Sequence, residues 1–458
     1  MNKRIKGIGL IVFIFIFLSG CSVMKSPVEL IQKPKVISKN IKEEYILSEI
    51  LSKEETLTLS LSQKDMESIR SIDLDQDGKD ELIVLFKENK DVFRGENKYG
   101  IIILKQLNGK WHEINRIYQK AYGVDLVECK DVTGDKKPDI IIGWNGKKED
   151  EKLLNVYSWS KGYFHFLYKD MYKEIGIDDL DNDGKNEVVL LKKVAKSDAV
   201  SLEVFKYFNE KINNIDKFII KNKNYYNTMK IGNVINNKKG IFIDFDMGTL
   251  LSYTDLLVLQ NNKLVDIFKN ESLDKPKTLK RDFIKSKDVN NDGIIEIGLT
   301  EKLLYPTKDE KTYHLINKNK LPVVNGWYQW NGKEGINLVL REYCNYDLGY
   351  KIVIPEKWGN EFTISASYEE NSEVNKVEFF SLDSKQRIEN HIFSIENLSK
   401  DEWDKEKDIL KNKKYIVLKE DENNVILGVF PNIKVENSKY FMDEDNLRKS
   451  FYIIKKGD

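Results

Sequence analysis

A nonapeptide rich in acidic residues recurs along the chain, and this repetition limits the possible folds more than any other feature. Four clear copies, here called loops one, two, three and five, begin at Asp73, Asp131, Asp179 and Asp288. A degenerate copy without acids, loop four, begins at Asn233, and successive first residues are 58, 48, 54 and 55 residues apart. A step of about fifty residues matches one four-stranded propeller blade. The repeat therefore predicts a mainly β protein built as a β-propeller of about five to seven blades, of which five are visible.

A second feature repeats in step with the first. After each loop, a short polar turn separates two apolar runs, as expected for a β-hairpin. The turns are Asn108-Gly109-Lys110, Ser160-Lys161-Gly162, Asn209-Glu210-Lys211, Asn261-Asn262-Lys263 and Asn331-Gly332-Lys333. Because loop four keeps its hairpin, we expect it to keep its blade.

The acidic loops have the composition of a site for a hard cation. Oxygen-bearing side chains at positions 1, 3 and 5, a glycine at position 6 and an acid at position 9 can surround an ion, and calcium accepts six to eight such oxygens. An EF-hand would require glutamate at position 12 and flanking helices. Position 12 is Val84 in loop one and aliphatic in the others, and the flanking residues are typical of strands. The EF-hand is therefore excluded.

With this loop and this period, residues 66–340 resemble the FG-GAP and VCBS repeats of integrin-type propellers. The resemblance implies calcium in one or more loops, with ligands at positions 1, 3, 5 and 9 and a backbone carbonyl at position 7. The implied ligands are Asp73, Asp75, Asp77, Lys79 and Glu81; Asp131, Thr133, Asp135, Lys137 and Asp139; Asp179, Asp181, Asp183, Lys185 and Glu187; and Asp288, Asn290, Asp292, Ile294 and Glu296.

Departures from the family pattern modify this expectation. Lys136 stands where loop two should have glycine, and Thr133 replaces a carboxylate, so we expect that site to be weak or empty. Loop four should bind nothing. Conversely, the crowded carboxylates of loops one and three repel one another, which predicts a cation in at least these two. We expect such an ion to have a structural role.

The amino terminus predicts export and lipid attachment. Lys3, Arg4 and Lys6 precede an apolar stretch over residues 8–18 that is too short to span a membrane and is typical of a signal peptide. It ends in Leu-Ser-Gly-Cys21, which resembles the lipobox of bacterial lipoproteins. The resemblance implies a signal peptide over residues 1–20 and an acylated Cys21. We therefore expect a lipid anchor on the extracellular face of the cell membrane.

Composition excludes other classes of protein. Without residues 1–20, the 74 basic and 74 acidic residues become 71 and 74, a net charge of about −3, which gives no reason to expect a nucleic acid partner. Beyond Cys21 only Cys129 and Cys344 remain, which predicts two lone thiols rather than a disulfide framework.

Two segments flank the repeats. Residues 21–65 predict a lipidated tether and a short helix through Tyr45 and Ile50, and whether residues 56–61 add a closing strand is left open. Residues 344–458 predict a small α+β domain, in which Ser399-Lys-Asp-Glu402 has the composition of a capping box.

No recognisable catalytic constellation is present in the sequence. We therefore expect a non-catalytic module that binds a surface protein or a polysaccharide. Two alternatives stay open: an extracellular enzyme acting on polysaccharide, since FG-GAP-like propellers also occur in lyases, and a structural component of an envelope assembly.

Overall fold

The computed structural model of the protein describes residues 45–61, 67–88, 97–148, 151–195, 197, 199–220, 226–248, 251–268, 277–281, 283–301, 303, 322–333, 335–368, 374–407, 414–431 and 438–454. The predicted signal peptide, Cys21 and the start of the predicted short helix lie outside these residues. The described part is mainly β, in antiparallel sheets. It contains no helix that is long and apolar enough to span a membrane. The first compact unit comprises the described residues up to Cys129 together with Lys137–Asp170, and the second comprises Lys130–Lys136 and the residues from Met171 onward.

Two sheets form the first unit, and apart from the first strand of the first sheet, each strand pairs antiparallel with the next one along the chain. The first sheet contains β1 (Glu55–Leu57), β2 (Ile69–Ile72), β3 (Glu81–Glu88), β4 (Asn97–Leu107) and β5 (Lys110–Ala121). The second contains β6 (Gly123–Lys130), β7 (Asp139–Asn145), β8 (Lys152–Ser160) and β9 (Tyr163–Tyr172).

The segment whose role the sequence left open contributes to both of these sheets. Strands β1 and β2 both pair with β3, so together they form one edge of the first sheet. Beyond β1, Ser60 forms a parallel bridge with Val124 of β6. The predicted short helix is a π-helical turn, Ile46–Ile50.

Three sheets of the second unit repeat the same consecutive antiparallel order. The third sheet contains β10 (Glu174–Asp178), β11 (Glu187–Lys193), β12 (Val200–Phe208) and β13 (Lys211–Ile220). The fourth contains β14 (Tyr226–Ile235), β15 (Lys238–Asp246), β16 (Leu251–Gln260), β17 (Lys263–Asp266) and β18 (Lys280–Arg281). The fifth contains β19 (Ile297–Glu301), β20 (Val323–Trp330), β21 (Ile336–Asn345) and β22 (Tyr350–Ile354).

Local sequence explains these strands and hairpins. Apolar runs such as residues 82–86 are buried throughout and form the central strands. Asn108, Asn209 and Asn261 open three of the hairpin turns with positive φ angles of 51°, 51° and 50°. Asparagine tolerates this left-handed conformation, which two-residue hairpins require. The predicted hairpins are therefore confirmed.

The carboxyl-terminal part of the second unit adds a sixth sheet and two helices. The sheet contains β23 (Phe362–Tyr368), β24 (Val374–Leu382), β25 (Ile388–Ser399), β26 (Lys414–Glu420) and β27 (Asn424–Phe430), and the helices are α1 (Lys400–Glu406) and α2 (Glu444–Ser450). The last strand, β28 (Phe451–Ile453), pairs with β22. The predicted capping box is confirmed, because the Ser399 side chain accepts from the Glu402 N–H and Glu402 accepts from the Ser399 N–H. Cys344, where the sequence places the domain start, lies inside β21.

Successive loops within the second unit are joined at equivalent points. The carbonyl of the first loop residue accepts from the N–H at position 8 of the next loop, at 3.1 Å between Asp131 and Asn186 and at 2.9 Å between Asn233 and Ile295. The outermost strands also meet, since Asp216 of β13 accepts from the Leu264 N–H of β17 at 2.6 Å. Within the first unit, Asn115 of β5 similarly exchanges two hydrogen bonds with the backbone of Phe164 in β9.

One half-buried acid makes the stability of the fourth sheet dependent on pH. Burial, together with the charge on Asp266, raises the pKa of Asp255 to about 7. In the unfolded chain this carboxyl has a pKa of about 4. As the pH rises, the folded chain therefore keeps the proton on Asp255 to a higher pH than the unfolded chain does. The contribution of Asp255 to the free energy of unfolding is fully present below pH 4 and is lost as the pH rises through 7.

Asp255→Asn should remove this dependence. We expect the variant to exceed the wild type by about 4 kcal/mol in free energy of unfolding at pH 8, with an advantage that shrinks as the pH falls from 7 to 4. Urea unfolding across this pH range measures the difference, and a difference that did not vary with pH would contradict the assignment.

Candidate metal loops

The four acidic loops share one backbone conformation. In each, positions 4 and 6 have positive φ angles, and these positions are Gln76 and Gly78, Gly134 and Lys136, Asn182 and Gly184, and Asn291 and Gly293. Glycine and asparagine adopt this conformation at low cost, whereas a lysine incurs a steric penalty. The pattern explains the glycine at position 6, and it makes Lys136 in loop two the exception.

Lys136→Gly should therefore stabilise the protein. Lys136 has a φ of 70°, and relief of this strain should add about 1 kcal/mol to the free energy of unfolding. Lys137→Gly is the matched control, since Lys137 has no positive φ and its replacement should destabilise. Thermal unfolding of both variants tests this, and a loss of stability in Lys136→Gly would refute it.

Loops one, three and five are closed by the same hydrogen bonds. The aspartate at position 1 accepts from the glycine N–H at position 6, at 2.9 Å in each loop. The glutamate at position 9 accepts from the N–H at position 2, at 2.9, 2.8 and 2.8 Å. Position 5 accepts from the N–H of position 7, where the resemblance implied a carbonyl ligand, at Lys79, Lys185 and Ile294. Much of each carboxylate's hydrogen-bonding capacity is thus taken up by the loop itself.

The same three loops bring acids together in a way that could hold a metal ion. One ligand atom from each of three residues lies within 4.8 Å of the others in each group. The groups are Asp73, Asp75 and Glu81; Asp179, Asp181 and Glu187; and Asp288, Asp292 and Glu296. Among the described residues, no such group of three acids forms from loop two. The glutamates at position 9 are almost wholly buried, as is Asp139 at the same position in loop two.

A lysine ammonium lies in the centre of loop one. Lys105 of β4 places its Nζ 2.7 Å from Asp75, 2.8 Å from Asp77 and 3.0 Å from Glu81. Burial opposes the charge on Lys105, but hydrogen bonds to these acids outweigh it and raise the pKa of the ammonium. The hydrogen bond from Lys105 likewise lowers the pKa of Asp77. The oxygens expected to bind a metal therefore already surround a cation.

Loop three has the same arrangement. Lys206 of β12 places its Nζ 2.5 Å from Asp181, 2.7 Å from Asp183 and 3.4 Å from Glu187. Burial first, and then the charges of Asp181 and Asp183, raise the pKa of Glu187 to about 7 against the opposing effect of Lys206.

Loop five differs, because an uncharged amide takes the central place. Gln329 of β20 donates through Nε2 to Asp292 and to Glu296, at 2.7 Å in both cases. Asp288 has one buried carboxylate oxygen without a hydrogen-bond donor, as do Asp75 in loop one and Glu187 in loop three. Burial raises the pKa of Glu296 against the hydrogen bonds from Val289 and Gln329. The difference from loops one and three is therefore that the central contact is a neutral amide instead of an ammonium.

The donor sets differ in how well they fit a divalent cation. Calcium binds oxygens at 2.3–2.6 Å, so it cannot share its position with an ammonium contacting the same carboxylates. Loops one and three, as they stand, therefore do not fit calcium. Loop five fits it, because rotation of the Gln329 amide would turn a carbonyl oxygen toward the three acids.

Lys105, Lys206 and Gln329 were not predicted from the sequence. Each lies just before a hairpin turn, on the second strand after its loop, and 19 to 37 residues away from the acids it contacts. Lys105 and Lys206 lie three residues before the asparagine that opens the turn, and Gln329 lies two residues before Asn331. This position close to the turn is the signal that could have found them.

No protein-family model and no curated protein matches the chain. Solved structures with some likeness include a rhamnogalacturonan lyase of Bacillus licheniformis, at 11% identity and a TM-score of 0.30, covering 64% of this chain and 65% of that one. The rhamnogalacturonan lyase YesW, at 11% identity and a TM-score of 0.31, covers 73% of this chain and 76% of its own. The exotype lyase YesX, at 10% identity and a TM-score of 0.30, covers 74% and 73%. Scores this low do not transfer a fold or an activity.

Proposed function

We propose that the chain is a five-bladed β-propeller, held on the outer face of the cell membrane by a lipid on Cys21, that acts as a non-catalytic binding module for a surface polysaccharide. The observation that carries the architecture is the recurrence of equivalent contacts between successive loops of the second unit. Asp131 with Asn186 and Asn233 with Ile295 join the same loop positions. Blades packed around an axis require such a repeated lateral contact.

Calcium in loop five would have a structural role. Asp288, Asp292 and Glu296 could ligate it together with the carbonyl oxygen of Gln329. Such an ion would join the loop to β20 of the same sheet. Extracellular calcium modules bind at about 10⁻⁴–10⁻³ M, which suits a protein outside the membrane.

Half-exposed aromatic rings on the first unit support the binding role. Tyr118 of β5 and Tyr163 and Phe166 of β9 are 51–55% exposed. Their strands meet where Asn115 and Phe164 exchange hydrogen bonds. Aromatic rings offer large amphipathic contact areas, and apolar sugar faces pack well on such rings. Meanwhile the acids of loops one and three are engaged internally and are not poised for general acid–base chemistry.

A polysaccharide array with the purified protein tests the proposal. We expect binding to at least one polysaccharide, and a loss of affinity of roughly tenfold or more in the double variant Tyr118→Ala, Phe166→Ala. Phe208→Ala is the matched control, because it removes a 44% exposed ring from the third sheet and should leave binding unchanged. Absence of binding, or release of cleaved product from the array polysaccharides, would contradict a non-catalytic polysaccharide module.

The anchor has its own test. Cys21→Ser should abolish incorporation of labelled fatty acid and release the protein from the membrane fraction, since two or more acyl chains are needed for stable attachment. Labelling that persisted in this variant would refute the assignment of Cys21.

A further inference from the structure

One residue near the end of the second strand after each loop varies systematically among the five sheets. Lys105 and Lys206 stand two residues before the ends of β4 and β12. At the same place, β8 has Ser158 and β16 has Val258. In β20 this place is occupied by Tyr328, and the next residue, Gln329, makes the contact with the loop.

The charge and polarity of this residue correlate with the number of acids at loop positions 1, 3, 5 and 9. Loops one and three have four acids each, and both face a lysine. Loops two and five have three acids each, because Thr133 and Asn290 replace a carboxylate, and their strands carry the uncharged Ser158 and Gln329. Loop four has no acids, and its strand carries Val258. A lysine is thus present only where the loop has four acids.

Physical chemistry favours a tethered ammonium over a free ion at these positions. Lys105 and Lys206 are only 15% exposed, and each contacts three carboxylates. A side chain already attached to the adjacent strand loses little translational freedom when it binds, whereas a free ion loses all of it. To enter, calcium would have to displace a charged group from its hydrogen-bonded partners.

We infer that Lys105 and Lys206 are built-in replacements for the metal ion in loops one and three, so that only loop five has kept a divalent-cation site. The ammonium groups close these two loops without any metal, and the first and third sheets are independent of calcium. The part of this inference that concerns loop five rests on the proposed function, whereas the part that concerns the lysines does not.

Calcium bound per chain tests the inference. The full chain is dialysed against about 5 mM calcium, above the affinity range of extracellular modules, and bound metal is measured by mass spectrometry. The wild type should bind one calcium. Lys206→Gln and Lys105→Gln, which recreate the amide of loop five, should each bind one more. Gln329→Lys should bind none. Lys192→Gln is the matched control, since it breaks an ion pair with Glu203 in the third sheet outside the acidic loop and should bind as the wild type does.

The outcomes separate the two proposals. No calcium in the wild type together with one in Lys206→Gln supports the lysine replacement and refutes the calcium assignment of loop five. Three calcium ions in the wild type, no gain in both lysine variants, or a wild-type content in Gln329→Lys would overturn the inference. The single lysine variants lie in different sheets, so a folding failure in one leaves the other as the test.

Discussion

Amides of β11 should exchange with solvent roughly 100-fold faster when Glu187 is replaced by alanine, which corresponds to a local loss of about 3 kcal/mol. Glu187 is fully buried. Its carboxylate accepts from the Leu180 N–H at 2.8 Å and lies 3.4 Å from the Lys206 ammonium. The variant therefore leaves a buried donor unpaired and removes one carboxylate from a partly buried ammonium, each costing about 1–3 kcal/mol.

Hydrogen exchange measured on peptides of the third sheet checks this result. Asp183→Ala is the control, because Asp183 contacts the same Lys206 from an exposed position and should cost less than about 1 kcal/mol. Equal exchange in both variants would contradict the account of position 9 as the buried closure of the loop.

A second large effect is expected at Asp244 in β15, where Asp244→Ala should lower the free energy of unfolding by about 3–5 kcal/mol. Asp244 is 1% exposed, and accepts from the Thr254 hydroxyl at 2.6 Å and from Ser286 through its N–H at 2.9 Å and its hydroxyl at 2.8 Å. Lys280, which donates to Thr254 at 3.0 Å, is buried in the same network. Burial lowers the pKa of Lys280 to about 8 despite the opposing charge of Asp244.

The network attaches the segment that leads into loop five to the fourth sheet. Without Asp244, three donors lose their acceptor and the Lys280 ammonium loses the nearby charge. Asp246→Ala in the same strand removes an exposed carboxylate that accepts from the Gly248 N–H at 2.9 Å, and it should cost less than about 1 kcal/mol. Urea unfolding followed by circular dichroism compares the two variants, and similar losses would refute the buried network as the cause.

Sequence patterns predicted the features that depend on near neighbours. Buried strands such as β3 and β11 follow from uninterrupted aliphatic runs, and the hairpins follow from residues like Asn209 that tolerate a positive φ. The capping box at Ser399 was likewise encoded within four residues. In each of these cases the chemistry is complete within a short window.

The centre of the acidic loops could not be predicted in this way. Repulsion among the carboxylates predicted a bound ion in loops one and three, whereas the structure places lysine ammonium groups between these carboxylates. The source of this positive charge depends on pairing between strands, because Lys105 and Lys206 lie 19 to 30 residues along the chain from the acids they contact. A single lysine near a hairpin is typical of a solvated strand end. Its role becomes visible only when the second strands after the five loops are compared with one another.

The contents of the loops also separate this chain from the pattern that it resembles. In loop five the neutral amide of Gln329 contacts Asp292 and Glu296, where loops one and three have an ammonium. The same backbone loop can thus be closed by a lysine or by an amide that admits an ion. Loop four, which has no acids, is instead a tight turn between β14 and β15, and Val234 lies with Val258 in one apolar cluster. The loop and its following strands thus recur along the chain, while the charge of the group at the centre of the loop differs between copies.

A crystal structure determined from crystals grown in calcium, with anomalous scattering to locate the ions, tests this central claim most directly. We predict one calcium peak, in loop five beside Gln329, with the ammonium groups of Lys105 and Lys206 inside loops one and three. Calcium peaks in loops one and three, with both lysine side chains turned out to solvent, would contradict it.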